Sequence, residues 1–132
     1  LLQKGQSVAV EGRTVQPVQV LGAPRRGLSV VFSGDTAPCP GLLQAAQDAD
    51  LLLCDATYAL PEQEAQARQW GHSTFGQSAA LAAKAGAKRL WLVHYSPMIT
   101  DPEADLPQAQ SIFPAAVCGA DGMQITLQYE EA

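Results

Sequence analysis

Three times along this chain a short apolar run stops at a side chain able to bind a metal or move a proton. Val30-Val31-Phe32 runs into Ser33-Gly34-Asp35-Thr36, Leu51-Leu52-Leu53 leads through Cys54 to Asp55, and the stretch Lys88 to Tyr95 ends its apolar residues at His94. An uninterrupted apolar run such as Leu51–Leu53 fits a strand buried on both faces, as in an α/β sheet. Helical punctuation lies between these runs. Pro40-Gly41 opens a short helix over Leu42–Ala49, and the polar stretch Pro61–Trp70 reads as part helix, part loop. Thr74-x-x-Gln77 has the form of a capping box and Gly86 suits the left-handed residue past a helix end, so a helix is predicted over Phe75–Ala85. A proline-interrupted helix from Pro102 to Phe113 follows.

At the ends, the loose alternation from Ser7 to Val20 around Glu11-Gly12-Arg13 predicts a hairpin with its valines on one face, and Leu21–Gly27 reads as a loop. Val117 and Met123–Tyr129 are predicted as closing strands, separated by a turn at Asp121-Gly122. The β-α-β-α-β alternation indicates a layered α/β domain. With 132 residues, 47% of them hydrophobic, the chain is the size of one domain with a real core.

The formal charge of −5 argues against a protein that coats nucleic acid generally, but is compatible with an enzyme that binds RNA through a local site. Cys39, Cys54 and Cys118 are scattered, odd in number and form no C-x-x-C pair, which fits reduced thiols in the cytoplasm better than a disulfide framework. There is no signal-peptide pattern and no run long enough to span a membrane. The chain opens Leu1-Leu2-Gln3-Lys4, without a methionine, and is read as lacking its natural start.

Asp35, Asp55 and His94 all fall at strand ends, where open α/β sheets place their functional crevice. His72 sits just before a helix N-terminus, and the chain has only these two histidines. Each position has an ordinary explanation when taken singly: turn chemistry for Asp35, backbone bonding for Asp55, core packing for His94, and a loop ring beside Trp70 for His72. Their order is more informative. The series Ser33-Gly34-Asp35-Thr36 with Pro38-Cys39, "ADLLLCDATY", "GHST", "KRLWLVHYSP" and "ADGM" resembles the C-terminal half of ribonuclease Z, the tRNA 3′-processing endonuclease branch of the metallo-β-lactamase superfamily. The resemblance covers about Leu1 to Leu127.

That resemblance implies the fold: the C-terminal half of a metallo-β-lactamase αββα sandwich, with residues 1–132 forming a single partial domain. It assigns Asp35 as a bridging ligand of two zinc ions and His94 as a ligand of one of them, with manganese as the alternative metal. It assigns His72 as proton donor to the leaving 3′-oxygen and Asp55 as the carboxylate that orients it. Ser73, Thr74 and the helix start beside them become candidate phosphate contacts. The implied partners are precursor tRNA, the absent N-terminal half of the fold with its H-x-H-x-D-H segment, and a second copy in a homodimer. The exposed inner face of this half would pair with the absent one.

The sequence also departs from the family. Cys54-Asp55-Ala56-Thr57 stands where the family has His-Glu-Ala-Thr, which shortens the orienting carboxylate by one methylene. Ala37 follows Thr36 where arginine is frequent, and Ser96-Pro97-Met98-Ile99 stands where the family has Ser-x-Arg-Tyr. Both lost arginines are natural phosphate contacts, and Arg25 and Arg26 are the candidate replacements. Two further expectations compete with the endonuclease: a metallo-β-lactamase-fold phosphodiesterase acting on a small substrate, and a non-catalytic α/β module.

Overall fold

The computed structural model describes residues 1–129. They separate into two compact units, Leu28–Gln128 and a smaller one comprising Leu1–Gly27 with Tyr129. In the smaller unit, β1 (Val8–Val10) and β2 (Arg13–Val15) form an antiparallel hairpin that pairs Val8 with Val15. Glu11 and Gly12 make the turn, both at positive φ. The hairpin is shorter than the alternation suggested. Pro17 fixes its φ and has no N–H to donate, so the chain leaves the ladder in a 3₁₀ turn over Pro17–Gln19.

The larger unit is a four-stranded parallel sheet in the order β3 (Val30–Phe32), β4 (Leu51–Asp55), β5 (Leu90–Val93) and β6 (Ala116–Cys118). Parallel neighbours require crossovers. Here α1 (Pro40–Ala45) joins β3 to β4, α2 (Glu64–Trp70) and α3 (Phe75–Ala85) join β4 to β5, and α4 (Pro102–Asp105) with α5 (Pro107–Gln110) join β5 to β6. The segment from Pro102 divides at Leu106-Pro107, where the second proline removes a helical donor.

Helix α3 has the predicted bounds. The Thr74 hydroxyl accepts the Gln77 N–H at 3.2 Å, while Gln77 Oε1 accepts the Thr74 N–H at 3.0 Å. At the other end Gly86, at φ 68°, donates to Ala83 O while the Ala87 N–H reaches back to Ala82 O, a Schellman arrangement. Its alanine-rich inner stripe, with Phe75, Ser78, Ala79, Ala82 and Ala85 buried, lets the helix lie close on the sheet. Leu52, Cys54, Leu90, Leu92, Ala116 and Cys118 meet it from the strands.

The opposite face of the sheet is only partly covered. The register aligns Phe32, Leu53, Trp91 and Val117 in one row across all four strands. Phe32 is 69% exposed and Val117 is also open, while Leu53 and Trp91 are half-buried. The apolar runs therefore encode a two-sided strand, but the helices of this unit cover one side only. Met123–Tyr129 forms no strand, contrary to the alternation of its residues, because none of its backbone groups enters a ladder and a strand exists only through a paired neighbour. Among the described residues no helix is long and apolar enough to cross a membrane.

Candidate active site

The C-terminal ends of β3, β4 and β5 bring Asp35, Asp55 and His94 to one edge of the sheet, and the turn between α2 and α3 brings His72 to them. The α2–α3 turn is set locally. Gly71, at φ 75°, ends α2, and the His72 N–H donates to Ala67 O at 2.8 Å. An isolated parallel bridge between Tyr58 and Thr74 then ties this turn to the segment leaving β4. His94 leaves β5 with φ 62°, in the left-handed region that non-glycine residues rarely enter and that costs about 1–3 kcal/mol.

Asp55 is completely buried, and its carboxylate accepts from five donors. Oδ1 receives the Thr57 N–H at 2.9 Å, the Thr57 hydroxyl at 2.8 Å and the Ser73 N–H at 3.3 Å. Oδ2 receives the Thr36 N–H at 3.1 Å and His72 Nδ1 at 2.7 Å. The shorter side chain noted in the sequence thus still reaches His72 directly. His94 stacks on His72, with ring centroids 5.2 Å apart and an interplanar angle of 15°. On its outer edge, His94 Nε2 lies 3.3 Å from Asp35 Oδ2, and Asp35 is largely exposed. The four side chains picked from the sequence therefore form two adjacent pairs, one buried and one open to solvent.

Ser73 and Thr74 lie just after His72 in this turn. Both are buried; the Ser73 hydroxyl donates to Thr36 O at 2.7 Å, and the Thr74 hydroxyl is taken by the helix cap. The Phe75 N–H is also used, by Tyr58 O at 2.9 Å. As placed here, both hydroxyls are engaged within the chain and brace the turn that carries His72. Of the candidate compensating arginines, Arg25 lies 3.9 Å over the Tyr129 ring within the smaller unit.

Thr57 was not singled out by sequence reasoning. Its hydroxyl touches Asp55 Oδ1, His72 Nδ1 at 3.0 Å and His94 Nδ1 at 2.8 Å, which places it between all three. The available signal was its place two residues after a strand-end aspartate, the spacing of an Asx turn. Ser33 was also missed: its hydroxyl accepts the Asp55 N–H at 2.9 Å and anchors the end of β4.

The donor set bears on metal binding in two ways. By distance alone Asp55, His72 and His94 each offer a ligand atom within 4.8 Å of the others. That convergence centres on the Thr57 hydroxyl, and the Asp55 oxygens are already saturated by donors, so the cluster is a hydrogen-bonded one. His94 Nε2 and the exposed Asp35 carboxylate differ: they face each other at the surface, and His94 is held from behind through Nδ1. A ligand histidine fixed through its second nitrogen is the usual support of a metal site. These two groups fit a metal as part of a ligand set, since a zinc ion takes about four ligands.

Comparison with known proteins identifies the family. The family profile described as "Beta-lactamase superfamily domain" matches residues 4–95. The chain belongs to the beta-lactamase superfamily. Its sheet and helix layer are part of a metallo-β-lactamase fold. It is 38% identical over 130 residues to a ribonuclease Z of Lachnoclostridium phytofermentans, covering 98% of this chain and 43% of that one. With a ribonuclease Z of Myxococcus xanthus the identity is 48% over 129 residues, covering 96% of this chain and 42% of the relative. The crystal structure of the short form of human tRNase Z superposes with a TM-score of 0.60 at 25% identity, over 87% of this chain and 37% of that one. The chain thus spans less than half the length of the curated relatives it matches.

Proposed function

We propose that this chain supplies the proton-donating pair and two metal ligands of a metal-dependent endoribonuclease that removes 3′ trailers from precursor tRNA. The observation that carries the proposal is the juxtaposition of the two pairs: His72 on Asp55 at 2.7 Å, and His94 facing Asp35 at 3.3 Å, joined by the stacked rings. Phosphodiester hydrolysis needs an electrophile beside the phosphorus and a proton for the leaving oxygen. In this reading Asp35 and His94 hold metal, as two zinc ions in the complete site or manganese in their place. When bound, the metal supplies a Lewis acid that polarises the phosphate and activates water. Asp55 holds His72 Nδ1 inward at 2.7 Å, which leaves Nε2 as the nitrogen that meets substrate and passes it a proton. The names of the relatives support the tRNA substrate.

Two ligands leave a metal site incomplete. We infer that the chain is one partial domain, with the remaining ligands and a second layer over the Phe32-Leu53-Trp91-Val117 row coming from the N-terminal half of the same fold in a longer protein. A homodimer and a cytoplasmic location belong to the same reading. One observation favours a second reading, a phosphodiesterase of small substrates. Where the tRNA-processing branch carries arginines this chain has Ala37 and a Met98 side chain that is 88% exposed, so neither position offers a cation for a large polyanion.

The deciding experiment uses the full-length parent protein, zinc-loaded, on a 3′-extended precursor tRNA, with Asp35→Ala and His72→Ala as controls. A single cut next to the discriminator base, lost in both variants, is the expected result. If the same preparation leaves the tRNA intact but hydrolyses a simple phosphodiester, the small-substrate reading replaces it. If it does neither and Asp35→Ala binds metal as tightly as the parent, the chain is a non-catalytic module.

A further inference from the structure

We propose that the groove between α1 and the α2–α3 pair is the track of the single-stranded 3′ trailer, whose phosphates are held by Arg68 and Lys84. The proposal deepens the tRNA-processing reading above and rests on it.

The groove has a volume of about 800 Å³, and both of its walls continue elements that carry a site residue. Ala37 and Pro38 follow directly on Asp35-Thr36. The Thr36 N–H donates to Asp55 Oδ2 at 3.1 Å, and its carbonyl accepts the Ser73 hydroxyl at 2.7 Å. On the other wall Arg68 stands on α2 one helical turn before His72, and Gln77, Ala80, Leu81 and Lys84 form one stripe of α3 just after it. A strand that leaves the site past Thr36 therefore enters this groove. The second layer inferred above covers the opposite side of the sheet and leaves the groove open.

The lining is amphipathic in the way a nucleotide strand is. Pro38, Leu43 and Leu81 offer apolar surface on which base faces can pack, and the cations of Arg68 and Lys84 stand beside it. Both are exposed, and no carboxylate lines the groove. Among the described residues neither cation has an ion-pair or hydrogen-bond partner. In a chain of formal charge −5, two unpaired cations in one groove are complementary to an anionic ligand. Size then selects the strand. Sites of about 300–1,000 Å³ are those of small molecules, so the groove admits a single strand but not a base-paired stem. The stem and the discriminator base lie on one side of the cut, which leaves the trailer for the groove. The one lining amide, Gln77, has its Oε1 engaged by the Thr74 N–H at 3.0 Å, so phosphates and base faces are held rather than a sequence read.

The test measures RNA binding by fluorescence anisotropy, with the full-length parent kept metal-free so that nothing is cut. One RNA ends at the discriminator base and the other carries a short uridine trailer. In the parent the trailer should steepen the salt dependence by about 1.4, about 0.7 for each of two phosphates, so its contribution to affinity shrinks about sevenfold between about 50 and 200 mM salt. In Arg68→Ala/Lys84→Ala this increment should vanish, while the trailer-free RNA binds as it does to the parent. Ala80→Glu sets a like charge on exposed helix surface within the stripe and should act in the same way, so the proposal stays testable if the double variant fails to fold. An increment that persists in these variants, or a parent that shows none, overturns the proposal. Equal weakening of both RNAs also overturns it, by assigning the cations to the body of the tRNA. A parent that binds neither RNA would sink the tRNA reading itself, and this proposal with it.

Discussion

Replacing the buried Asp55 with asparagine tests the site's construction at its most constrained point. The new amide has one oxygen and one nitrogen, and the nitrogen must face donors whichever way it turns. Placed at Oδ1 it meets the Thr57 N–H, the Thr57 hydroxyl and the Ser73 N–H; placed at Oδ2 it meets the Thr36 N–H and His72 Nδ1. The second orientation is cheaper, because His72 can shift its proton to Nε2 and accept from the amide. One N–H is then stranded and the remaining bonds lose their charge assistance. Hydrogen bonds to charged groups contribute about 1.5–3 kcal/mol each, so a loss of about 3 kcal/mol is expected. The denaturation midpoint of the full-length protein, followed by tryptophan fluorescence, should fall accordingly. The cleavage proposed above should slow by about 10²–10⁴-fold, since the proton on His72 moves to the wrong nitrogen and the ring loses the carboxylate that orients it. Asp55→Glu is the matching control: it keeps the charge but forces an extra methylene into a completely buried position, at a cost of about 1–3 kcal/mol. If Asp55→Asn leaves both the midpoint and the rate near the parent's, the saturated-carboxylate account of this site is wrong.

Three other expectations follow from the same structure. Burial pushes the Cys54 thiol up, and burial followed by the charge of Glu103 pushes Cys118 up to about 11, so at pH 8 a maleimide should label the exposed Cys39 first; equal labelling of all three by peptide mapping would contradict this. Gly119→Ala should destabilise the chain by about 1–3 kcal/mol, because a Cβ there would meet Leu92 O at 2.8 Å and Val93 Cγ1 at 2.9 Å on the strand leading to His94; an unchanged melting temperature would refute the close approach. Arg68 and Lys84 border a groove of about 800 Å³ with Pro38, Leu43 and Leu81, next to Ala37; under the proposed tRNA reading, Arg68→Ala/Lys84→Ala should weaken RNA binding by the full-length parent and flatten its salt dependence by about one to two in slope, whereas an unchanged slope would place the RNA elsewhere.

The elements that sequence reasoning located well are those whose signals are local. The bounds of α3 follow from a capping box and a left-handed glycine, each read within four residues. The strand ends at Asp55 and His94 follow from apolar runs that stop abruptly. Elements whose existence depends on a distant partner were less legible. Met123–Tyr129 alternates like a strand but finds no ladder, and the Leu51–Leu53 run looks two-sided although helices cover one face. The same division holds within the site. Asp35, Asp55, His72 and His94 stand out as reactive side chains at element ends. That the Ser73 hydroxyl binds Thr36 O and the Thr74 hydroxyl caps α3 was not legible, because hydroxyls near a helix start look alike in sequence whether they face outward or cap the helix.

The sequence by itself determined the α/β class, the bounds of α3, the family and which four side chains are candidates for the chemistry, since each depends on residue type and on spacing within one element or on the order of motifs. Tertiary structure alone decided which of those side chains meet. His72 and His94 are 22 residues apart and on different connections, yet their rings stack and share the Thr57 hydroxyl. No local pattern encodes that convergence. It follows from three parallel strands ending at the same edge, which the pairing of β3, β4 and β5 in one sheet imposes. A hydroxyl comes to link two imidazoles and a carboxylate only when the fold brings all three within hydrogen-bond reach of it.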